Sequence, residues 1–290
     1  MYAHPPRYVD GLPRPGRALV MGVLNVTPDS FSDGGRYLDP AHALAHGRRL
    51  AAEGADLVDV GGESTRPGAV RPSEQEELDR VLPVVSALAA EGVVVSVDTM
   101  RARVAAEAVA AGAAVVNDVS GGRADDEMLP TVARLRTPYV LMHWRAHSAH
   151  MQEHATYGDV VGDVVAELAE QLDAATRAGV DPALVALDPG IGFSKTGDQN
   201  WDVLAGLPRL HELGLPVLVA TSRKRFLGTL LADDDGTPRP PDRRDDATTA
   251  TSALAAAAGA WCVRTHSVRA TLDAVLVARR WAGEREPARG

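Results

Sequence analysis

The chain has 290 residues, of which 45% are hydrophobic and 4% aromatic, and its formal net charge is −9. This length can bury one large core or two small ones. The negative charge argues against a general nucleic-acid-binding surface. The single cysteine, Cys262, cannot form an intrachain disulfide and fits a reducing compartment. We therefore expect an acidic, cytoplasmic protein that has no nucleic-acid partner.

The two ends of the chain differ in composition from its middle. Residues 1–17 contain four prolines and no long apolar segment, unlike a signal peptide or a membrane anchor. We expect a flexible lead-in over residues 1–17, a single domain over residues 18–282 and a disordered tail over residues 283–290. The alanine-rich segment 247–263 contains several polar residues, which favours a packed helix leading into a strand over a membrane span. No membrane partner is expected.

Short apolar runs alternate with helical segments along the chain. A first strand ends at Asn25, and a helix follows from Pro40 to Glu53, where Gly54 is a typical end signal. A second strand starts at Asp56, and the next helix begins at Ser73, in the capping-box sequence Ser-Glu-Gln-Glu. Further helices are predicted at residues 101–111, 125–136, 157–178, 200–213, 246–258 and 267–281, and further strands end near Asp98, Asn117, His143, Asp188, Ala220 and Arg264. Eight such units predict an α/β protein with a single (β/α)8 TIM barrel; a doubly wound parallel sheet is the alternative.

Six of the apolar runs carry a polar residue at or near their ends, where a buried strand normally avoids one. These residues are Asn25, Asp59, Asp98, Asn117, His143 and Asp188. In a barrel the residues that follow the strands gather at one face, where active sites lie. Burying a neutral polar group without a partner costs roughly 2 to 7 kcal/mol. The pattern therefore predicts that these side chains share a polar, flat-edged ligand.

Lysine use in this chain is unusual. Lys195 and Lys224 are the only two lysines among 30 basic residues, and both fall in predicted loops after strands. A sequence that otherwise uses arginine indicates that lysine is placed where a compact, rotatable ammonium is needed. Chance placement is the alternative interpretation.

Seven ordered segments resemble the dihydropteroate synthase family. They are Met21–Gly35, Asp59–Ala69, Val95–Thr99, Asn117–Gly122, Leu187–Thr196, Ser222–Gly228 and Val263–Val268. The resemblance extends from about Leu19 to Trp281. It implies a pterin-binding barrel, usually a homodimer, that joins 6-hydroxymethyl-7,8-dihydropterin pyrophosphate to p-aminobenzoate. The products would be 7,8-dihydropteroate and pyrophosphate, in folate biosynthesis.

The chemistry of a pterin fits the residues at the strand ends. A pterin has neighbouring ring N–H and amino donors, which one carboxylate can accept together, and a carbonyl oxygen that needs a donor. Asp188 suits the donors and Lys224 suits the carbonyl. The resemblance implies four further pterin contacts, which are Asp98, Asn117, Met142 and Phe193.

The leaving group has its own predicted site. Phosphate sites in such barrels favour the loops after strands seven and eight, and the resemblance implies that Ser222, Arg264 and His266 hold the pyrophosphate there. Arg264 and His266 are two positions apart, so on an extended strand end both can face one anion. Asn25 resembles the family's magnesium contact. A neutral oxygen ligand together with phosphate oxygens and water suits Mg²⁺. With one protein ligand, the Mg²⁺ would arrive with the substrate.

The resemblance also implies how the second substrate binds and reacts. The residues that correspond to the p-aminobenzoate-binding side of the site are Phe31, Thr65, Arg66, Pro67 and Ser222. Pyrophosphate loss leaves a cation that the pterin ring delocalises, and Asp33, Lys224, Arg264 and His266 are the candidate catalytic residues. The arylamine then attacks directly, so no enzyme nucleophile is required.

Two other functions share part of this pattern. A corrinoid-dependent pterin methyltransferase would share the aspartates and the asparagine but has no need for Ser222, Lys224, Arg264 and His266 together. A non-catalytic pterin-binding paralogue would be expected to lack the motifs around Glu63 or Ser222, which are intact. Four histidines between His143 and His154 could bind a metal, and residues 233–244 could bind a partner; a polar loop is the simpler interpretation of each.

Overall fold

The structure is a computed structural model that describes residues 7–27, 40–63, 71–147 and 151–283. Parallel strands form the inner layer. They are β1 (Leu19–Asn25), β2 (Leu57–Gly61), β3 (Val95–Asp98), β4 (Val115–Asp118), β5 (Tyr139–Met142), β6 (Val185–Asp188), β7 (Leu218–Val219) and β8 (Cys262–Thr265). Neighbours pair in the order β6-β5-β4-β3-β2-β1-β8-β7. A bridge between Leu187 and Val217 brings β6 next to β7. The predicted (β/α)8 barrel is confirmed, and the doubly wound sheet is excluded.

Helices surround the strands in the described residues. They are α1 (Pro40–Ala52), α2 (Glu74–Ala90), α3 (Ala102–Ala110), α4 (Met128–Leu135), α5 (Val160–Arg177), α6 (Gly197–Ala205), α7 (Leu207–His211), α8 (Arg225–Leu230), α9 (Asp245–Ala257) and α10 (Val268–Trp281). The segment predicted as one helix over residues 200–213 is divided into α6 and α7, because Pro208 starts a new helix after Gly206. Helix α8 lies in the loop after β7 and was not predicted from the sequence.

Local signals explain where the helices begin and end. Ser73 Oγ accepts the Glu76 N–H at 3.3 Å, while the Glu76 carboxylate accepts the Ser73 N–H at 2.7 Å. The predicted capping box is therefore confirmed. Gly54 has φ +100°, a left-handed conformation that glycine adopts without strain and that ends α1.

Small side chains let the helices pack closely on the barrel. Along β1, Leu19 and Met21 face the barrel interior, while Val20 and Leu24 pack under the helices. Gly22 lies on the outer side, where an added Cβ would be 3.1 Å from Val268 and 3.3 Å from Leu50. The low aromatic content is compatible with this close packing.

The amino-terminal segment is packed over part of its length. Val9 and Leu12 are buried against Trp261 and the first residues of several strands. The Asp10 N–H donates to the Ala183 carbonyl at 3.0 Å. Two apolar side chains thus cover the amino-terminal end of the barrel, within the segment for which the sequence predicted flexibility.

The alanine-rich segment near the carboxyl terminus forms α9 and β8. Across the described ranges, no helix is both long enough and apolar enough to span a membrane.

Candidate active site

The carboxyl ends of neighbouring strands bring the predicted pterin contacts together. Asp98 at the end of β3 is in register with Asn117 on β4, and Met142 on β5 is in register with Asp188 on β6. Asn117 and Asp188 are buried. These four strand-end residues therefore lie on one face of the barrel.

Arg264 joins the carboxylates at this face. Its Nε donates to Asp59 Oδ2 at 2.6 Å, and its Nη2 donates to Asp98 Oδ2 at 2.8 Å. Asn117 Nδ2 donates to the same Asp59 oxygen at 3.0 Å. The family resemblance implies that Arg264 holds the pyrophosphate, whereas here its guanidinium contacts Asp59 and Asp98.

Asp59 is the central carboxylate of this network; the strand-end pattern predicts that it shares the ligand, but the family resemblance gives it no role. Its side chain is 0% exposed, and its Oδ1 has no hydrogen-bond partner in the part of the chain that the structure describes. A buried carboxylate of this kind needs charged or polar partners, and Arg264 and Asn117 supply them. A polar residue inside the apolar run Leu57–Gly61 was the signal in the sequence.

One guanidinium lies between two carboxyl groups in a buried place. Burial raises the pKa of Asp98 to about 8, against the attraction of Arg264 and with the repulsion of Asp59. Burial lowers the pKa of Arg264, but the two carboxylates outweigh it and raise that pKa overall. Asp98 is therefore largely protonated at neutral pH, so Arg264 balances the charge of one carboxylate there.

Lys224 lies in the loop after β7, the strand that pairs with the Arg264 strand β8. Its ammonium donates to the Ile191 carbonyl and lies 5.0 Å from the centroid of the Phe193 ring. Its aliphatic part covers Gly192, where an added Cβ would be 2.9 Å from the lysine Cδ. Burial lowers the pKa of Lys224 to about 8, and Asp188 opposes that shift.

Asp188 is oriented by its own loop. Its Oδ1 accepts the Gly190 N–H at 2.7 Å. Burial raises the pKa of Asp188, and the positive charge of Lys224 opposes the rise. A carboxylate and an ammonium thus face the same space, as recognition of an N–H and carbonyl edge requires.

An apolar wall completes the pocket. Met142, Met100 and Val119 form a small cluster, and Phe193 and Trp144 pack against it. Met142 and Phe193 were predicted to line the pocket, and they lie together here.

The loops after β7 and β8 are joined at the predicted anion site. Ser222 Oγ is 2.8 Å from His266 Nδ1 and accepts the His266 N–H at 3.1 Å. The neighbouring Arg223 points elsewhere: it has φ +58° and forms a two-point ion pair with Asp245, with both distances 2.7 Å. Ser222 and His266 are therefore a pre-assembled pair.

Two threonines near this site pair with residues behind it. The hydroxyls of Thr221 and Thr251 are 2.8 Å apart. Thr265 Oγ1 accepts hydrogen bonds from the Ser267 N–H and from the Thr271 hydroxyl, each at 3.1 Å. Their hydroxyl groups thus stabilise the backbone that carries Ser222 and His266.

A bound metal ion would depend on the substrate. Asn25 ends β1 beside Gly61, its partner in register. In the described ranges, no group of three or more His, Cys, Asp or Glu side chains could hold a metal ion. A single amide oxygen fits an Mg²⁺ ion that takes its other ligands from phosphate and water.

Five of the predicted catalytic and p-aminobenzoate residues lie outside the described residues: Phe31, Asp33, Thr65, Arg66 and Pro67.

His143 differs from the other strand-end residues. It is 0% exposed, and its two ring nitrogens contact Lys195 and Glu167 rather than facing the pocket. Long-range pairing of this kind cannot be inferred from a strand-end pattern.

Comparisons with known proteins agree with this geometry. A family model described as pterin binding enzyme matches residues 21–266. The dihydropteroate synthase of Mycobacterium leprae (strain TN) is 57% identical over 263 residues, 90% of this chain and 93% of that protein. The Xanthomonas albilineans dihydropteroate synthase has been solved with 4-aminobenzoic acid (TM-score 0.85, 46% identity, 93% of this chain and 94% of that one). Another of its structures contains 7,8-dihydropteroate (TM-score 0.82, 44% identity, 93% and 95% coverage). The chain belongs to the dihydropteroate synthase family of pterin-binding enzymes.

Proposed function

We propose that this chain joins 6-hydroxymethyl-7,8-dihydropterin pyrophosphate to p-aminobenzoate, releasing 7,8-dihydropteroate and pyrophosphate in folate biosynthesis. The observation that carries the proposal is the convergence of Asp98, Asn117, Asp188 and Lys224 on one face of the barrel, beside the Ser222–His266 pair. The family's solved structures with 4-aminobenzoic acid and 7,8-dihydropteroate support the choice of substrates.

The pterin ring would lie between the strand-end carboxylates and the apolar wall. Asp188 would accept two neighbouring ring donors, and Lys224 would donate to the ring carbonyl. Asp98 and Asn117 would contact the opposite edge, while Met142 and Phe193 would pack on the ring. Charge-assisted hydrogen bonds of this kind contribute roughly 1.5 to 3 kcal/mol each.

The pyrophosphate would bind at the loops after β7 and β8. Ser222 and His266 are already paired there. Arg264 would reach the anion by leaving Asp98 or by contacting both groups, since its guanidinium has five donors. Asn25 would hold an Mg²⁺ ion that arrives with the pyrophosphate, and this ion would supply positive charge at the departing oxygens.

The reaction needs little covalent chemistry from the protein. The bond between the pterin methylene carbon and the pyrophosphate oxygen breaks, and the electron pair leaves with pyrophosphate. Arg264 and His266 would stabilise the departing charge, and Asp33 would stabilise the pterin cation. The p-aminobenzoate nitrogen then bonds to the methylene carbon and loses a proton. Phe31, Thr65, Arg66, Pro67 and Ser222 would position the arylamine.

A direct assay tests the activity. Purified protein is incubated with the pterin pyrophosphate, Mg²⁺ and p-aminobenzoate, and dihydropteroate is measured by chromatography. Product that requires all three components is expected. A folded protein that binds a pterin analogue but makes no product would favour a non-catalytic paralogue. Methyl transfer from a methylated pterin to a corrinoid would favour the methyltransferase.

The protein would act as a homodimer in the cytoplasm. Exposed apolar side chains on neighbouring helices α9 and α10 support a partner surface: Leu254 is 70% exposed, Val277 63% and Trp281 89%. A buried thiol at Cys262 fits a reducing compartment. Sedimentation equilibrium of the wild type and of Leu254→Asp tests the dimer, which the substitution should weaken at least about tenfold if this surface is the interface.

A further inference from the structure

A second cluster of charged groups lies behind the pterin pocket, and the proposed reaction does not use it. Lys195 is 3% exposed, and its Nζ is 3.1 Å from His143 Nδ1. His143 Nε2 is 3.0 Å from Glu167 Oε2 on α5. Arg145 forms a two-point ion pair with the same glutamate. These groups make a continuous chain from the loop after β6 to helix α5.

The hydrogen bonds of Lys195 indicate its protonation state. Besides His143 Nδ1, its Nζ contacts the Gly190 carbonyl at 3.1 Å and the Phe193 carbonyl at 3.2 Å. An ammonium has three donors and matches these three acceptors, whereas a neutral amine has only two. The proton of a neutral His143 is then assigned to Nε2, which donates to Glu167.

The two carbonyls belong to the turn that shapes the pterin pocket. The Gly190 N–H orients the Asp188 carboxylate at 2.7 Å, and the Phe193 ring faces Lys224. Gly190 has φ +67°, and an added Cβ there would lie 2.5 Å from the His143 carbonyl oxygen. The turn is therefore pressed against His143 and fastened by Lys195.

We propose that Lys195 is a positioning residue of the pterin site, whose ammonium fastens the turn of residues 189–194 to His143 and so sets Asp188 and Phe193 for the ring. This inference rests on the proposed pterin contacts of Asp188 and Phe193. Lys195 itself touches no substrate, and His143 and Glu167 act by orienting it.

The electrostatic surroundings make this fastening sensitive to pH. The charged and titratable groups around Lys195 are His143, Arg145, Tyr157, Glu167, Asp188 and Lys224. Burial lowers the pKa of Lys195 to about 7, although Asp188 opposes the shift. Above that pH the third donor is lost, so the turn loosens and pterin affinity falls.

Calorimetric titration with a non-reactive pterin analogue at pH 6.5 tests the inference. We expect Lys195→Met to weaken binding at least about tenfold and Lys195→Gln, which keeps two donors, to weaken it less. The Michaelis constant for p-aminobenzoate should stay within about twofold of the wild-type value. A matched control is His211→Gln, which removes a buried 3.0 Å contact with the Ala258 carbonyl elsewhere in the barrel, and should leave the affinity unchanged.

The Asp188→Asn variant separates this inference from the proposed site. If Asp188→Asn weakens binding of the analogue but a folded Lys195→Met binds it normally, the role proposed for Lys195 is contradicted and the pterin site stands. If both variants bind normally, the pterin site itself is wrong.

Lysine-selective NMR tests the wild-type protein directly, even if a Lys195 variant does not fold. With two lysines in the chain, protein labelled with ¹³C at the lysine Cε gives two resolvable signals. Lys195 should titrate near neutral pH, and its signal should shift when the analogue saturates the site. The analogue affinity should fall over the same pH range, and Lys195→Gln should show only the smaller change contributed by Asp98 and Lys224, whose pKa values are about 8. A Lys195 signal that titrates above pH 10 and ignores the analogue would overturn the inference.

Discussion

At the scale of single residues, the pocket is organised by shared charges. Arg264 lies between Asp59 and Asp98 at 2.6 and 2.8 Å, so the group proposed to stabilise the departing pyrophosphate also neutralises the pterin-side carboxylates. Pterin donors at Asp98 and anion oxygens at Arg264 would replace these contacts. The two halves of the first substrate are therefore coupled through one guanidinium.

Asp188 gives the first prediction. If its carboxylate accepts two pterin donors, as proposed, Asp188→Ala should remove one or two charge-assisted hydrogen bonds and lower pterin affinity at least about tenfold. Calorimetry with a pterin analogue measures the change. The exposed Asp173 on α5 provides the control variant Asp173→Ala. Unchanged affinity in folded Asp188→Ala would remove this residue from the site.

Lys224 gives the second prediction. Its stem is packed against Gly192 and its ammonium lies beside Phe193, so a larger, planar guanidinium would occupy space meant for the ring. Lys224→Arg should lower turnover at least about tenfold although the charge is kept. The reverse exchange at the exposed neighbour, Arg225→Lys, should leave turnover unchanged. Equal rates for Lys224→Arg and the wild type would contradict this assignment.

The third prediction concerns the effect of Arg264 on the binding of pyrophosphate and of the pterin. Arg264→Lys keeps the charge but removes the fork that spans two groups. It should weaken binding of pyrophosphate more than binding of a bare pterin analogue. Separate titrations with the two ligands measure the difference, and equal losses would show that Arg264 does not distinguish the two halves of the substrate.

At the scale of elements, local signals in the sequence predicted most of the fold. The capping box at Ser73 and the glycine at position 54 fixed helix ends, and apolar runs predicted every strand of the barrel. The short α8 carries Phe226 and Leu227 into the core, and its six residues are too few for a clear periodic pattern. The pairing of Asp59 with Arg264 and the Lys195–His143 contact were missed because they depend on partners far apart in the chain.

The contact between β5 and α5 predicts a pH dependence of stability. Burial lowers the pKa of His143 from 6.5 to about 4. Between these values the unfolded chain binds more protons, so the free energy of unfolding falls as pH drops from about 6.5 to about 4, by at most about 1.4 kcal/mol per pH unit. The free energies of unfolding of the wild type and of His143→Gln, measured in urea, should therefore converge as pH falls towards 4.5. The exposed His154→Gln serves as the control, and parallel pH curves for His143→Gln and the wild type would contradict the prediction.

At the scale of the whole molecule, the two substrates should bind in a linked order. The predicted p-aminobenzoate contacts, Phe31, Thr65, Arg66 and Pro67, belong to glycine-containing segments of the sequence, and fixing a backbone residue costs roughly 1 to 2 kcal/mol. Pyrophosphate held by Ser222 and His266 can recruit Mg²⁺ to Asn25, which would offset that cost. The affinity of a sulfonamide mimic of p-aminobenzoate should rise at least about tenfold with pyrophosphate at fixed Mg²⁺.

Linkage provides the check on this prediction. The sulfonamide must raise the affinity for pyrophosphate by the same factor. Sulfate at matched ionic strength controls for nonspecific salt effects. Equal sulfonamide affinities with and without pyrophosphate would mean that the second site is preformed.

The scarcity of lysine has a practical consequence for chemical labelling. Lys195 is buried, while Lys224 is partly exposed in the pocket. Apart from the α-amino group that begins the chain, an acylating reagent therefore meets only Lys224 as an accessible amine in the folded protein. A bound pterin would cover that amine, so the fraction of intact protein that stays unlabelled at Lys224 would count occupied sites, and modification of Lys195 would report unfolding.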